Sequence, residues 1–219
     1  MKLSEQLFES VKDIWESYYS HPFLEELGKG TLDLSKFRFY MIQDYLYLLD
    51  YAKVFAFGVI KSKDEDVMRN FAQMVHHTLD GEMKIHKSYM ERLGITKEEV
   101  QNAKPALANT SYTSYMLAVG EGQGVLELLV SILSCAWSYQ EIGAHLAKIP
   151  GALEHPLYGE WVRGYTGEEY VGGTKDIIEL VDKLGKDCTE AERNNLKDIF
   201  VRCSRYEYLF WDMAYKKEM

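Results

Sequence analysis

The 219-residue sequence has little cysteine, little proline and no excess of basic residues. Its cysteines, Cys135, Cys188 and Cys203, are odd in number and lack Cys-x-x-Cys spacing, which argues against a disulfide framework or a zinc knuckle. The formal net charge is −9, from 25 basic and 34 acidic residues, so no nucleic-acid partner is expected. The four prolines and 16 glycines form no runs, which excludes collagen-like and low-complexity chains.

Signals for export and membrane insertion are also missing. The first residues lead into no apolar core of a signal peptide, so we expect none. The most apolar stretch, residues 125–137, contains Glu127 and is too short to cross a bilayer. Because free thiols are typical of a reducing compartment, we predict a cytoplasmic protein without a membrane partner.

The dominant pattern is helical. Apolar residues recur at spacings of three and four, and no segment alternates with period two. Thr96 with Glu99, and Thr189 with Glu192, match capping boxes. We predict an all-α fold, a single-domain helical bundle of about eight or nine helices over residues 1–219. The main predicted helices cover residues 3–19, about 33–61, 64–92, 111–119, 125–147, 154–165, 175–185 and about 189–217.

Familiar nucleotide and hydrolase motifs do not occur. There is no Walker loop, no Gly-x-Ser-x-Gly elbow and no Gly-x-Gly-x-x-Gly after a strand. The glycine-rich run at residues 120–124 has no strand before it, so we interpret it as a turn that interrupts a helix.

An acid stands inside an aromatic stripe of the second long helix. Asp44 shares a face with Tyr47 and Tyr51, which follow it by three and seven residues. Such an acid is costly to bury unless it is paired. A packing acid bound to a Tyr or an Arg is the simpler interpretation, and a ligand-binding acid is the alternative.

Two further clusters hold a thiol and a carboxylate. Cys135 and Tyr139 are neighbours on an apolar helix, where a cysteine is more often an inert small hydrophobe than a nucleophile. Glu207 shares a face with Phe210 and Trp211 near the end of the chain. A carboxylate walled by aromatic rings is harder to ionise and could act as an acid, although a partly exposed Glu is the simpler interpretation.

Two Glu–His pairs offer a rival function. Glu82–His86 and Glu141–His145 are both spaced at i, i+4, which suggests a helical di-metal oxidase. Such sites more typically space Glu and His at i, i+3 and add carboxylates from other helices. Pairing within one helix at the surface is the simpler interpretation. We therefore expect no metal, and little loss of catalysis when His86 or His145 is replaced by Ala.

The order of these clusters along nearly the whole chain resembles the TenA family, the thiaminase II aminopyrimidine hydrolases. The resemblance implies a haem-oxygenase-like fold without haem or another cofactor, and a homotetramer. It also implies hydrolysis of 4-amino-5-aminomethyl-2-methylpyrimidine, and of thiamin, in thiamin salvage. Matching segments are Gly30-Thr31-Leu32, Phe37-Arg38-Phe39-Tyr40, Gln43-Asp44-Tyr45-Leu46-Tyr47-Leu48, Glu82, His86, Leu93-Gly94-Ile95, Tyr112-Thr113, Cys135-x-x-x-Tyr139, His155-Pro156-Leu157-Tyr158, Trp161-x-x-x-Tyr165 and Glu207-x-x-Phe210-Trp211.

The resemblance also implies roles for single residues. Cys135, which marks the Cys-containing branch of the family, would be the nucleophile, and Glu207 would protonate a ring nitrogen. Asp44 would accept a hydrogen bond from the ring amine of the substrate. The other substrate-binding residues would stack on the ring or position it through hydroxyl groups: Tyr47, Tyr112, Tyr139, Tyr165 and Phe210.

Overall fold

A computed structural model describes all 219 residues and contains eleven α-helices, one π-helical segment and no strand. The all-α class is confirmed. The helices are more numerous than expected, partly because a π-segment divides the helix predicted over 64–92. The elements are α1 (Leu3–Tyr19), α2 (Pro22–Gly28), α3 (Leu34–Lys61), α4 (Glu65–His76), the π-segment (His77–Glu82), α5 (Met83–Arg92), α6 (Lys97–Asn102), α7 (Leu107–Gly122), α8 (Val125–Leu146), α9 (Gly159–Thr166), α10 (Glu168–Leu184) and α11 (Glu190–Lys216).

Side chains at the helix starts account for several of the boundaries. Asp33 caps α3, because its Oδ1 accepts a hydrogen bond from the backbone N–H of Ser35 at 2.8 Å. Both predicted capping boxes form. The Thr96 hydroxyl accepts from the N–H three residues later at 3.1 Å, and the Thr189 hydroxyl does the same at 3.3 Å.

The helix predicted over 154–165 begins later than expected, at Gly159. His155 accounts for the delay. Its Nδ1 accepts from the backbone N–H groups of Leu157 at 3.2 Å and Tyr158 at 3.1 Å. The ring therefore holds this segment as a turn and offers the backbone an alternative to helical hydrogen bonds.

The interpretation of residues 120–124 as a turn is correct only at its end. Gly120 and Gly122 are the last part of α7, and the break falls at Gln123. Gly120 lies against Phe57 of α3, so that a Cβ at this position would come within 3.1 Å of the Phe57 side chain. The glycine serves close helix packing there and does not end the helix.

Packing divides the chain into two compact units. The first unit is Met1–Leu32 with Leu129–Asp212, and the second is Asp33–Leu128 with Met213–Met219. Each unit joins segments that are distant in sequence. The prediction of a single domain over 1–219 stays a prediction.

The first unit is built around an aromatic core. The ring centroid of Trp15 on α1 lies 5.5 Å from that of Trp137 on α8 and 5.7 Å from that of Phe200 on α11. Tyr18, one turn further along α1, is fully buried. Aromatic rings at these spacings add attraction beyond the area that they bury, so α1, α8 and α11 are held together near Cys135.

The second unit is organised by α3, which packs against α4, the π-segment, α5 and α7. At Gly58, a Cβ would overlap the ring of Phe71 on α4, so only glycine fits that crossing. Phe37, Tyr40 and Val54 of α3 are fully buried. The helix that carries Asp44 is therefore a central element of its unit.

Helix α8 is long and apolar enough, by length and composition, to cross a membrane. Of its apolar 18-residue stretch, 56% is buried inside the protein. The core helix of a soluble protein passes the same test. The helix is therefore weak evidence for a membrane span.

Candidate active site

The predicted site residues fall into two groups, one in each unit. The second unit holds Asp44 and Tyr47 on α3 and Tyr112 on α7. All three are nearly buried. The Tyr47 ring lies 5.5 Å from that of Tyr112 and stacks on that of Tyr51 at 5.1 Å. The predicted face of α3 is therefore correct, and Tyr112 joins it from α7.

Asp44 is paired with a histidine and not with the Tyr or Arg that the sequence suggested. Its Oδ2 lies 2.6 Å from Nε2 of His86 on α5. The other ring nitrogen of His86, Nδ1, lies 3.0 Å from the backbone carbonyl oxygen of Glu82. Both ring nitrogens are thus engaged. We call Asp44, Glu82 and His86 the acid–imidazole cluster.

Burial and charge oppose each other in this cluster. Burial lowers the pKa of His86, but the hydrogen bonds to Asp44 and Glu82 and the negative charges of both residues together outweigh it, so the pKa of His86 is raised. Burial also raises the pKa of Glu82, more than the nearby His86 lowers it. The exposed fractions of the His86 and Asp44 side chains are only 12% and 8%. The expected surface pairing of Glu82 with His86 is therefore wrong.

The first unit holds the other group: Cys135 and Tyr139 on α8, Tyr165 on α9, and Glu207 and Phe210 on α11. The Tyr139 ring centroid lies 4.8 Å from that of Tyr165. Cys135 is partly exposed, whereas the exposed fractions of Glu207 and Phe210 are 2% each. A thiol that solvent can reach and a buried carboxylate are what nucleophilic and acid chemistry require, respectively.

Two tryptophans complete the aromatic surroundings of Tyr139. Its ring lies 5.1 Å from that of Trp211 on α11 and 6.0 Å from that of Trp161 on α9. The first unit thus surrounds one predicted substrate-binding tyrosine with rings from two other helices.

A buried hydrogen-bond network fixes the helices that carry Cys135 and Glu207. Ser204 on α11 lies 3.0 Å from Ser134 on α8, hydroxyl oxygen to hydroxyl oxygen. Its hydroxyl also accepts from Nε1 of Trp15 at 3.0 Å, and its carbonyl accepts from the hydroxyl of Tyr18 at 2.5 Å. We call Trp15, Tyr18, Ser134 and Ser204 the hydroxyl network. It fixes α8 beside Cys135 and α11 one turn before Glu207.

Tyr18 connects this network electrostatically to the predicted catalytic pair. Its pKa is raised well above the usual value, first by burial and then by the negative charge of Glu207, with a smaller contribution from Cys135. The pKa of Cys203, four residues before Glu207, is also raised, first by burial and then by the negative charge of Glu207. Cys135 and Glu207 therefore both lie within electrostatic range of one phenol.

The second Glu–His pair does not form as the spacing suggests. Glu141 accepts a hydrogen bond from Nε1 of Trp137 at 3.3 Å, and the His145 ring stacks on Tyr19 at 4.2 Å. No three His, Cys, Asp or Glu side chains are grouped so that they could hold a metal ion.

The chain matches the model of the TENA/THI-4/PQQC family over residues 8–217. It belongs to this family. A relative from Helicobacter pylori named aminopyrimidine aminohydrolase is 50% identical over 216 residues, which cover 99% of this chain and 100% of the relative.

Solved structures agree with the family assignment. The TenA homologue from P. horikoshii OT3 superposes with a TM-score of 0.91 at 27% identity and covers 99% of both chains. A protein from Shewanella denitrificans OS217, described as having a haem-oxygenase-like fold, superposes with a TM-score of 0.78 at 18% identity. It covers 97% of this chain and 92% of that protein and supports the fold alone. The expected haem-oxygenase-like fold is confirmed.

Sequence reasoning missed the partner of Asp44 and the whole hydroxyl network. The network left a weak signal, because Ser131, Ser134 and Ser138 form a polar stripe along the apolar helix α8, and all three are buried. Buried hydroxyls need partners, so such a stripe indicates contacts with another helix. The pairing of α3 with α5 left no comparable signal.

Proposed function

We propose that this chain is an aminopyrimidine aminohydrolase that acts in thiamin salvage. It converts 4-amino-5-aminomethyl-2-methylpyrimidine and water to the 5-hydroxymethyl compound and ammonia, and it also cleaves thiamin. The observation that carries the proposal is the 50% identity to the Helicobacter pylori aminopyrimidine aminohydrolase over essentially the full length of both chains.

In this proposal Cys135 is the nucleophile. Its thiolate adds to a carbon of the electron-poor pyrimidine ring, and a ring nitrogen receives the displaced electron pair together with a proton from Glu207. The ring has then lost its aromaticity and is rich in electrons. These electrons expel the protonated aminomethyl nitrogen as ammonia, or the thiazole when thiamin is the substrate.

Water completes the reaction at the exocyclic carbon. It adds there and releases one proton, and the electron pair returns to the ring. The ring nitrogen returns its proton to Glu207, and the bond between carbon and sulfur breaks to restore the Cys135 thiolate. The buried position of Glu207 supports a carboxyl group that exchanges its proton with the ring nitrogen and not with solvent.

The remaining predicted residues bind and orient the ring. Asp44 accepts a hydrogen bond from the exocyclic amine, because an ionised carboxylate is an acceptor only. Tyr47 and Phe210 stack on the ring. Hydroxyl groups that position the substrate come from Tyr112, Tyr139 and Tyr165.

The di-metal oxidase has no comparable support. No three His, Cys, Asp or Glu side chains are grouped so that they could hold a metal ion, and in the second Glu–His pair Glu141 accepts a hydrogen bond from Trp137 while the His145 ring stacks on Tyr19. We further propose that the protein is cytoplasmic and acts as a homotetramer on its small-molecule substrate, without cofactor, metal, nucleic acid or membrane.

A turnover assay read by mass spectrometry tests the proposal. The wild-type protein is incubated separately with the aminomethyl pyrimidine and with thiamin in water enriched in ¹⁸O. The expected product is the hydroxymethyl pyrimidine with the label in its hydroxyl group. Absence of this product from both substrates would overturn the proposed function.

Variants of two cysteines assign the nucleophile. We expect Cys135→Ser to fold and to lose turnover by about 1000-fold or more, because an alcohol is not ionised near neutral pH. Cys188→Ser is the matched control, because Cys188 is also partly exposed and forms no disulfide. Near-normal turnover by Cys135→Ser would contradict the covalent mechanism while leaving the hydrolase assignment intact.

A further inference from the structure

The acid–imidazole cluster goes beyond what substrate binding by Asp44 alone requires. A single carboxylate would suffice to accept a hydrogen bond from an amine. Here Asp44 on α3 is joined to His86 on α5 at 2.6 Å, in a setting from which water is almost excluded. Removing one partner of such a buried ion pair strongly destabilises the folded protein, because the other charge is left uncompensated. The presence of the pair therefore indicates a specific role.

The hydrogen-bond partners of His86 define its protonation state. The backbone carbonyl of Glu82 can only accept, so Nδ1 of His86 carries a proton. An ionised Asp44 can likewise only accept, so Nε2 carries a proton as well. The raised pKa of His86 agrees with an imidazolium ion bound to a carboxylate.

The π-segment places the carbonyl of Glu82 where His86 can use it. Residues 77–82 form the wide turn in which the N–H of Met83 bonds to the carbonyl of Thr78, five residues earlier. Glu82 is the last residue of this turn, and His86 follows it on the first turn of α5. The ring is thereby anchored at Nδ1, which fixes the direction in which Nε2 points.

We propose that His86 is a positioning residue that holds Oδ2 of Asp44 in place, so that Oδ1 is presented to the substrate as a hydrogen-bond acceptor. The site then selects pyrimidines that carry an amino group at the position facing Asp44 and rejects those that carry an oxo group there. An oxo group would place two acceptors against each other. This inference rests on the proposed function, since it assumes that Asp44 receives the substrate amine.

The decisive variant is His86→Gln, compared with wild type on the aminomethyl pyrimidine and on its 4-oxo analogue. The Gln amide can donate to Asp44 but carries no charge. We expect KM for the amino substrate to rise roughly 10- to 100-fold with a smaller change in kcat. We also expect the ratio of kcat/KM for the amino substrate to kcat/KM for the 4-oxo analogue to fall by a similar factor, because Oδ2 of Asp44 is then no longer held by the anchored imidazole ring.

His76→Gln is the matched control. His76 also pairs with an aspartate, Asp80, at 2.9 Å, but its side chain is 77% exposed. We expect this variant to match wild type on both substrates. Wild-type KM and wild-type selectivity between the two substrates in a folded His86→Gln variant would overturn the inference while leaving the proposed function standing.

A measurement on the wild-type protein guards against a variant that does not fold. Nitrogen NMR of the histidine rings, with the His86 ring assigned by coupling to its own backbone signals, should show both nitrogens of His86 largely protonated at about pH 6.5, because the pKa of His86 is raised above that ordinary value. A neutral ring would overturn the inference. A wild-type protein that hydrolyses no pyrimidine would instead overturn the proposed function, and the assumed contact between substrate and Asp44 would fall with it.

Discussion

The two units hold their functional groups by different kinds of contact. In the first unit, neutral hydroxyl and indole groups join α1, α8 and α11 around Ser204. In the second unit, a charged pair joins α3 to α5 through Asp44 and His86. Neutral hydrogen bonds do not change with pH near neutrality, whereas an imidazolium–carboxylate pair does. The comparison indicates that the proposed nucleophile and its proposed acid lie on helices joined by neutral hydrogen bonds, while the proposed recognition acid is held by a titratable partner.

The largest effect within this comparison is expected at Glu207. Replacing Glu207 by Gln removes the proton that the ring nitrogen receives but keeps the shape of the side chain, so we expect kcat to fall by about 10²- to 10⁴-fold. Stopped assays on the aminomethyl pyrimidine measure the loss. Glu190→Gln, at the exposed start of the same helix, is the control. Wild-type turnover by Glu207→Gln would remove this residue from the acid role.

A smaller effect is expected when the hydroxyl network is broken. Ser204→Ala leaves the buried Nε1 of Trp15 and the hydroxyl of Ser134 without a shared partner. We expect a loss of about 1–3 kcal/mol in the free energy of unfolding. We also expect a drop in kcat that is the same at every pH. Urea denaturation and a pH–rate profile check both, with the exposed Ser20→Ala as control. A loss of activity that varies with pH would contradict the contrast between the units.

A third prediction concerns pH and stability in the second unit. The pKa of His86 is raised above 6.5 in the folded protein, so its stabilising contribution is complete below that pH and is lost as pH rises through the raised value. The titratable groups that act on His86 are Asp44 and Glu82, and His77 acts in turn on Glu82. The raised pKa of Glu82 acts in the same direction but from a lower starting value, 4.5.

Thermal denaturation of wild type and His86→Gln from about pH 6 to about pH 9 tests this prediction. The difference in melting temperature between the two proteins should shrink as pH rises. A difference that stays constant across this range would show that His86 does not titrate there, and the charged character of the cluster would be wrong.

The smallest effect is expected at His145. This ring stacks on Tyr19, and burial together with the charge of Lys148 lowers its pKa, so it is neutral near pH 7. Replacing His145 by Ala should leave kcat/KM within about twofold of wild type, as is usual for substitutions outside the site. A large loss, accompanied by loss of a bound metal, would revive the di-metal interpretation. For His86, by contrast, we expect replacement to impair substrate binding, because His86 contacts Asp44.

Local rules predicted much of the fold. The capping boxes at Thr96 and Thr189 and the apolar period of α1 and α3 depend on residues near one another in sequence, and these helices start or end where expected. The late start of α9 was missed because the His155 ring caps a turn at a position where the periodicity continued.

The candidate site was predictable as residues but not as contacts. The resemblance named Asp44 and Glu207, and an acid beside aromatic rings is visible in the sequence. The partner of Asp44 lies 42 positions away, on a helix whose direction depends on the π-segment. No periodicity in the sequence encodes that partner, because the π-turn inserts one residue into the helix and so shifts which side chains of α5 face α3.

The π-segment makes the contact between His86 and Asp44 sensitive to the deletion of a single residue. An α-helix advances by about 100° per residue, so the loss of one codon within residues 77–82 would restore regular helical hydrogen bonding and turn α5 by about that angle. The resulting protein would keep its helices but point position 86 away from Asp44. The same rotation would turn the buried Met83, Tyr89 and Met90 of α5 out of their packing, so such a deletion would cost stability together with the contact that holds Asp44.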